Sequence, residues 1–250
     1  GYNKDHPSSA IKLDTTVATL NPSKLKKFLV GEFHKRFSKC KTQRCWIKQE
    51  FMRRLPKEMQ RLAKKKIFRP PGPTGSFEWL DTLNIEAVMN QYEDAHPDFK
   101  FLGAVPMDFD SLPALGIKSL NLKELQDEGI QKLGLVLNLD NHDQSGSHWV
   151  AMYADLDEGE SFFFDSYGTR PERRVRRLMR RIAKHVKQQG GKPIASYNEV
   201  QHQHGNSECG VYSINFIIRM LRGDGFNEII HNPTSDKEIW KCRAKYFSKE

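Results

Sequence analysis

Cysteine is scarce in this chain, with four in 250 residues, too few to frame a disulfide scaffold of this length. Long apolar runs are absent as well. None approaches the roughly 20 residues that cross a bilayer as a helix, so no membrane insertion is expected, and the opening residues carry no signal-peptide pattern. Acidic residues are outnumbered, 31 Asp and Glu against 40 Lys and Arg, for a formal charge of +9. That excess bears on partners (nucleic acid, an anionic membrane face or acidic protein) and not on fold. No internal repeat or low-complexity segment stands out. What remains is a globular composition long enough for one large domain, or for a catalytic domain with a smaller appendage.

Asn21-Pro22-Ser23 offers a helix start, with Asn21 as N-cap and Pro22 in the first turn. Leu25, Phe28, Leu29 and Phe33 then fall at helical spacing, which predicts an amphipathic helix over 22–37. Further helices are expected over 44–55 and 56–65, the last ending on Lys64-Lys65-Lys66, where cations favour a helix C-terminus. Residues 1–20 are polar and poorly patterned and read as an extended or partly disordered lead. Arg69-Pro70-Pro71-Gly72-Pro73 can be neither helix nor central strand. It divides a basic helical arm, 1–72, from a catalytic domain, 73–250.

Beyond that junction, Asp81 or Thr82 caps a helix whose buried face is Ile85, Val88, Met89 and Tyr92. Strands are expected over 99–105, 134–140 and 192–197, and a short helix over 122–128 with Asn121 as cap. The loop 141–146 reads as polar, its His142 as solvated, and Asp224-Gly225-Phe226-Asn227 as a turn. Over 173–189, Val175, Leu178, Met179, Ile182 and Val186 share one helical face, with Arg174, Arg177, Arg181 and Lys184 on or near the other. Pro171 suits the first turn of this helix and Gly190-Gly191 its end. So basic a helix can bind DNA through its phosphates, salt-sensitively and without sequence preference, although a solvated outer face is the commoner role of such a row.

The chemistry centres on Gln203-His204-Gly205-Asn206-Ser207-Glu208-Cys209-Gly210 and the apolar run that follows. A thiol in the first turn of that helix sits where the macrodipole favours thiolate. Gly210 would let another backbone approach the sulfur, and the Gln203 amide is within reach of an oxyanion beside it. Taken alone, Cys209 reads as a small buried apolar residue. Upstream, His148 opens one hydrophobic alternating segment and Asp165 closes a second. Paired as an antiparallel hairpin around 155–160, these segments bring imidazole and carboxylate together, as a base and the group that orients it. A thiolate argues for a reducing compartment. Cys40 and Cys45 lack a second ligand pair and read as ordinary thiols, no metal site is expected, and Cys242 has no assignable chemistry.

His148-Trp149, Asp165-Ser166 and Gln203-x5-Cys209-Gly210 together resemble the cysteine proteases that include the SUMO-deconjugating enzymes and the adenovirus protease. The stretches Phe68-Arg69-Pro70-Pro71-Gly72-Pro73, Pro106-Met107-Asp108-Phe109 and Gly146-Ser147-His148-Trp149 extend the likeness to the polyprotein protease of African swine fever virus and its relatives in large DNA viruses. The swine fever enzyme carries Asn where this chain has Asp165, so here the triad is nearer the SUMO-protease pattern. The resemblance implies an α+β fold of the SUMO-protease/adenain-like type, with a central mixed sheet flanked by helices and an N-terminal helical arm. It also implies that Trp79 and Trp149, with Asp81 and Gly210 nearby, line a substrate channel narrow enough for Gly-Gly.

The expected reaction is peptide hydrolysis through an acyl-enzyme, with Cys209 as nucleophile, His148 as acid and base, Asp165 orienting it and Gln203 in the oxyanion hole. Three functions share this chemistry or fold. The first is a viral endopeptidase that matures structural or core polyproteins, acting in the virion and the host-cell cytoplasm. The second is a protease that removes SUMO- or ubiquitin-like modifiers, and the third a non-catalytic nucleic-acid-binding or scaffold protein. The helical arm and Pro-rich junction favour the first. No cofactor is required, and DNA enters as a candidate activator through the likeness to the adenovirus enzyme.

Overall fold

Residues 1–69 and 70–250 form two units in a computed structural model that describes residues 2–12, 22–37, 45, 48–61, 69–75 and 77–248. In the first unit, Tyr2–Asp5 is a short helix (α1), Pro7–Ser9 a 3-10 turn, Pro22–Arg36 a longer helix (α2) and Glu50–Arg53 a single turn (α3). The opening residues are not the extended lead their polarity suggests. Tyr2 is buried edge-on to the rings of Phe33, Phe37 and Phe51, and Asn3 exchanges hydrogen bonds of 2.8 and 2.7 Å with Ile11. Two apolar side chains show no period, yet both find a cluster built by α2 and α3. The helix expected over 44–55 is interrupted, because Gln49 is extended (φ −66°, ψ 151°). Cys45 is disulfide-bonded, which corrects its reading as an ordinary thiol. Residues 57–61 are helical, while Asn21, Cys40 and Lys64-Lys65-Lys66 lie outside the described residues.

The second unit runs through α4 (Thr82–Ala95), β1 (Phe99–Pro106), two 3-10 turns (Phe109–Ser111 and Pro113–Leu115), α5 (Leu122–Asp127) and β2 (Lys132–Asn138). It continues with β3 (Trp149–Asp155), β4 (Glu160–Phe164), α6 (Arg173–Gln188), β5 (Ile194–Tyr197), α7 (Cys209–Leu221), α8 (Phe226–His231) and α9 (Asp236–Tyr246). The strands form one sheet in sequence order. Its two outer pairs are parallel and its two inner pairs antiparallel. This is a mixed sheet in an α+β fold.

Every residue of β3 is buried, and strand alternation divides them between two cores. Trp149, Ala151 and Tyr153 join the cluster of α4, α7, α8 and α9, whereas Val150, Met152 and Ala154 join that of α5 and α6. Helix α7 has 11 buried residues among its 13, the all-round apolar signature of a core helix. A cysteine on its first residue is therefore held by the core and not by a loop. The turn expected around Phe226 is instead the start of α8, since Phe226 stacks on Phe162 at 4.2 Å.

Helix α6 buries the five predicted apolar residues, with Pro171 two positions before its start. Three of the four basic residues named for phosphate binding have partners within the protein. Arg174 and Arg177 both pair with Asp110 at 3.2 Å, and Arg181 donates to the carbonyls of Lys118 and Ile117 at 2.7 Å each. Lys184 is exposed. The helix is thus anchored by its apolar face. Ile182→Ala should lower unfolding free energy by about 2–5 kcal/mol and the exposed Arg180→Ala by no more than about 0.5 kcal/mol, measured by denaturant unfolding.

Candidate active site

The β3–β4 hairpin places His148, just before β3, beside Asp165, just after β4, because Ala151 pairs with Phe164 and the register runs outward from there. His148 Nε2 lies 2.7 Å from Asp165 Oδ1, both groups buried. This leaves Nδ1 free to serve Cys209, whose thiol is near enough to help raise the imidazole pKa. Burial alone would lower the His148 pKa. Hydrogen bonds and charge from Asp165 and Cys209 outweigh it and push the pKa up to about 9. Cys209, as first residue of α7, also presents an N–H that has no intrahelical acceptor.

The carboxylate and ring are held from several sides. Asn198, fully buried, accepts from the Asp165 N–H at 2.8 Å and donates to the Asp165 carbonyl at 2.7 Å. Tyr167 stacks on His148 with ring centroids 4.7 Å apart, and its N–H donates to Asp165 Oδ1 at 2.9 Å. The turn closes at Gly168, with φ +76°, where a Cβ would meet the backbone of Glu199 and Val200 at 3.0 Å. Neither Tyr167 nor Asn198 was singled out from sequence. Tyr167 lies two residues after Asp165, but nothing local marks its ring as the partner of His148.

Gln203 is fully buried, with its orientation fixed at both ends of the amide. Ser166 Oγ donates to Oε1 at 2.7 Å, and Nε2 donates to the Gly205 carbonyl at 2.9 Å and, more loosely, to the Tyr167 hydroxyl at 3.3 Å. Both amide protons thus have partners within the protein, and the longer bond is the weaker one. Asp236 Oδ2 accepts from the N–H groups of His204 and Gly205 at 3.0 and 2.8 Å, fixing the loop between Gln203 and Cys209.

Glu208 caps α7 without a cap hydrogen bond and faces Arg243 instead. Arg243 Nε and Nη2 reach the two Glu208 oxygens at 2.8 and 3.0 Å. The same guanidinium donates to the carbonyls of Pro73 (3.2 Å), Ser207 (3.3 Å) and Glu78. It joins α9, the Pro-rich junction, the loop that carries Trp79 and the residue before the cysteine.

The predicted channel residues meet across this loop. The Trp149 indole N–H donates to the Leu80 carbonyl at 2.8 Å, and Trp79 is half-exposed. Trp79, Leu80, Asp81 and Trp149 line a cavity of about 440 Å³ together with the loop after β2. A Cβ on Gly210 would meet the Leu80 side chain at 3.0 Å, so the close neighbour of this glycine is a side chain and not the backbone expected. Asp81 caps α4 in a capping box with Asn84. His142 is not merely solvated: its Nδ1 lies 2.5 Å from Asp108 Oδ2, and its backbone N–H donates to Oδ1 at 3.0 Å. This hydrogen bond and the carboxylate charge raise the His142 pKa.

Comparison with known proteins finds related proteases. Residues 135–248 match the model of the Ulp1 protease family, C-terminal catalytic domain. The chain is 41% identical over 225 residues to a protein of Acanthamoeba polyphaga mimivirus that carries a thiol-protease assignment, covering 89% of this chain and 74% of that one. It is 26% identical over 197 residues to a cysteine protease of African swine fever virus (isolate Tick/Malawi/Lil 20-1/1983), covering 72% and 71%. The crystal structure of a swine fever virus protease superposes with a TM-score of 0.67 at 22% identity, covering 92% and 91%.

Two outcomes follow. The His148 pairing stabilises the fold fully below pH 6.5 and is lost as pH rises through about 9. The alkaline limb of kcat/KM should accordingly lie near pH 9 and move toward 6.5 in Asp165→Ala. Arg243→Met strands Glu208 as a buried charge and should lower unfolding free energy by about 3–5 kcal/mol. Adding Glu208→Gln should restore part of that loss in denaturant melts.

Proposed function

Because this chain belongs to the Ulp1 protease family and is a cysteine peptidase, we propose that it is a viral endopeptidase that cuts structural or core polyprotein precursors at Gly-Gly sequences during virion maturation. The observation that carries this reading is the position of Leu80, packed on Gly210 beside the nucleophile and held by the Trp149 indole. A substrate backbone reaching Cys209 past Leu80, Trp79 and Trp149 has little room for side chains, which favours glycine at the two residues before the cut.

In this mechanism His148 takes the Cys209 proton and later returns one to the leaving amine. Asp165 holds the ring through Nε2 and stabilises its charged form. The tetrahedral oxyanion takes hydrogen bonds from the Cys209 N–H and from Gln203, whose looser N–H exchanges the Tyr167 hydroxyl for the developing charge. No step in this sequence calls for a metal or a nucleotide.

One observation favours removal of a folded modifier instead. Trp79 and Leu83 stand 51% and 72% exposed at the start of α4, an apolar surface that suits a folded partner beside the channel. Short fluorogenic peptides decide between the two. The endopeptidase reading expects peptides carrying Gly-Gly-Xaa to be cut by the native protein and not by Cys209→Ala. Gln203→Ala should lose about 10²- to 10³-fold in kcat. Cleavage confined to fusions of SUMO- or ubiquitin-like proteins would replace polyprotein processing with deconjugation, and no cleavage of either class would contradict both.

A further inference from the structure

In a chain of net charge +9, the cavity beyond the tryptophans is lined by no lysine or arginine among the described residues. Its ionisable side chains are Asp81, Asp140 and His142, and His142 is spoken for by Asp108. Each of the other two carboxylates has one oxygen occupied and one open. Asp81 Oδ1 accepts from the Asn84 N–H at 2.7 Å, and Asp140 Oδ1 accepts from Ser147 Oγ at 2.8 Å. Neither Oδ2 has a partner among the described residues. The remaining wall includes the exposed Trp79 ring and the apolar surfaces of Val105 and Pro106.

An acidic, aromatic-walled cavity, whose one histidine is paired with Asp108, complements a long aliphatic stem that ends in a positive charge. The methylenes of lysine or arginine lie along apolar surface, the cation is attracted to a tryptophan face, and the head reaches the open carboxylate oxygens. Leu80, which touches Gly210, also lines this cavity. A peptide extending upstream from the two glycines therefore enters it within a residue or two, at ~3.3 Å per extended residue.

We propose that Asp81 and Asp140 make this cavity a specificity subsite that selects lysine or arginine at the third or fourth substrate residue before the scissile bond. This assignment rests on the channel reading of the proposed function, which sets the direction in which the peptide runs.

The test separates the two. Fluorescent peptides with Lys, Leu or Glu at either of those positions, followed by Gly-Gly, are titrated against Cys209→Ala protein at low salt, where binding is read without turnover. The Lys peptides should bind about tenfold more tightly than the Glu peptides, with a gap that narrows as salt is raised. The gap should narrow further when Asp81→Asn and Asp140→Asn are added. Asparagine keeps the helix cap and the acceptor for Ser147, so the loss would report charge and not folding. Equal binding of Lys and Glu peptides, a gap that survives both substitutions, or no binding of any peptide overturns the assignment. If Lys peptides bind preferentially but the native protein does not cut them, the Gly-Gly endopeptidase reading fails while the subsite stands. If the native protein cuts Lys and Glu peptides equally well, the subsite fails alone.

Discussion

The constraint on which the rest of the catalytic unit depends is the ion pair between Arg243 and Glu208. Both side chains are buried, Arg243 completely. Removing two charges from water costs several kcal/mol each unless geometry and further hydrogen bonds compensate. Here they do: the guanidinium makes a fork to the carboxylate and its remaining donors meet the carbonyls of Pro73, Glu78 and Ser207. The buried charge cannot be satisfied unless the C-terminal helix, the Pro-rich junction, the tryptophan loop and the start of α7 arrive together. The cost of burying it is thereby turned into precision at the residue before Cys209.

Around that fixed point the site is assembled from element ends. Strand β3 begins after His148, β4 ends before Asp165 and α7 begins at Cys209. The flexible part of each functional group is reduced to one side chain. A polar layer then locks those side chains: Asn198 and Tyr167 around Asp165 and His148, Ser166 on Gln203, Asp236 under the loop that leads to the cysteine. Such support holds catalytic groups close to productive geometry. At Gly168 and Gly210 a Cβ would meet neighbouring atoms at 3.0 Å.

Legibility in the sequence followed the range of the interaction. The hairpin, α7 and the buried face of α6 were readable because period-two and helical patterns are local properties of the chain. The pairing of His148 with Asp165 followed from them across a separation of 17 residues. Arg243 was not readable. It lies 35 residues from Glu208 and 170 from Pro73, on a helix whose own pattern says only that it is a C-terminal tail. Asp236 looks like a first-turn acid of that helix, yet its carboxylate also holds the backbone of Gly205. His142 and Tyr2 were misread for the same reason: a polar loop and an unpatterned lead conceal partners supplied by distant elements.

The central claim is that Cys209, served by His148, is the nucleophile. Two free cysteines are present among the described residues, Cys209 and Cys242, and both are buried, so burial does not distinguish them. The direct measurement is intact-protein and peptide mass spectrometry after treatment with a peptide that ends in Gly-Gly and a thiol-reactive electrophile. The account predicts one adduct per chain, located on Cys209 and lost in His148→Ala. Modification of Cys242 at a comparable rate, or labelling of Cys209 that persists without His148, would contradict it.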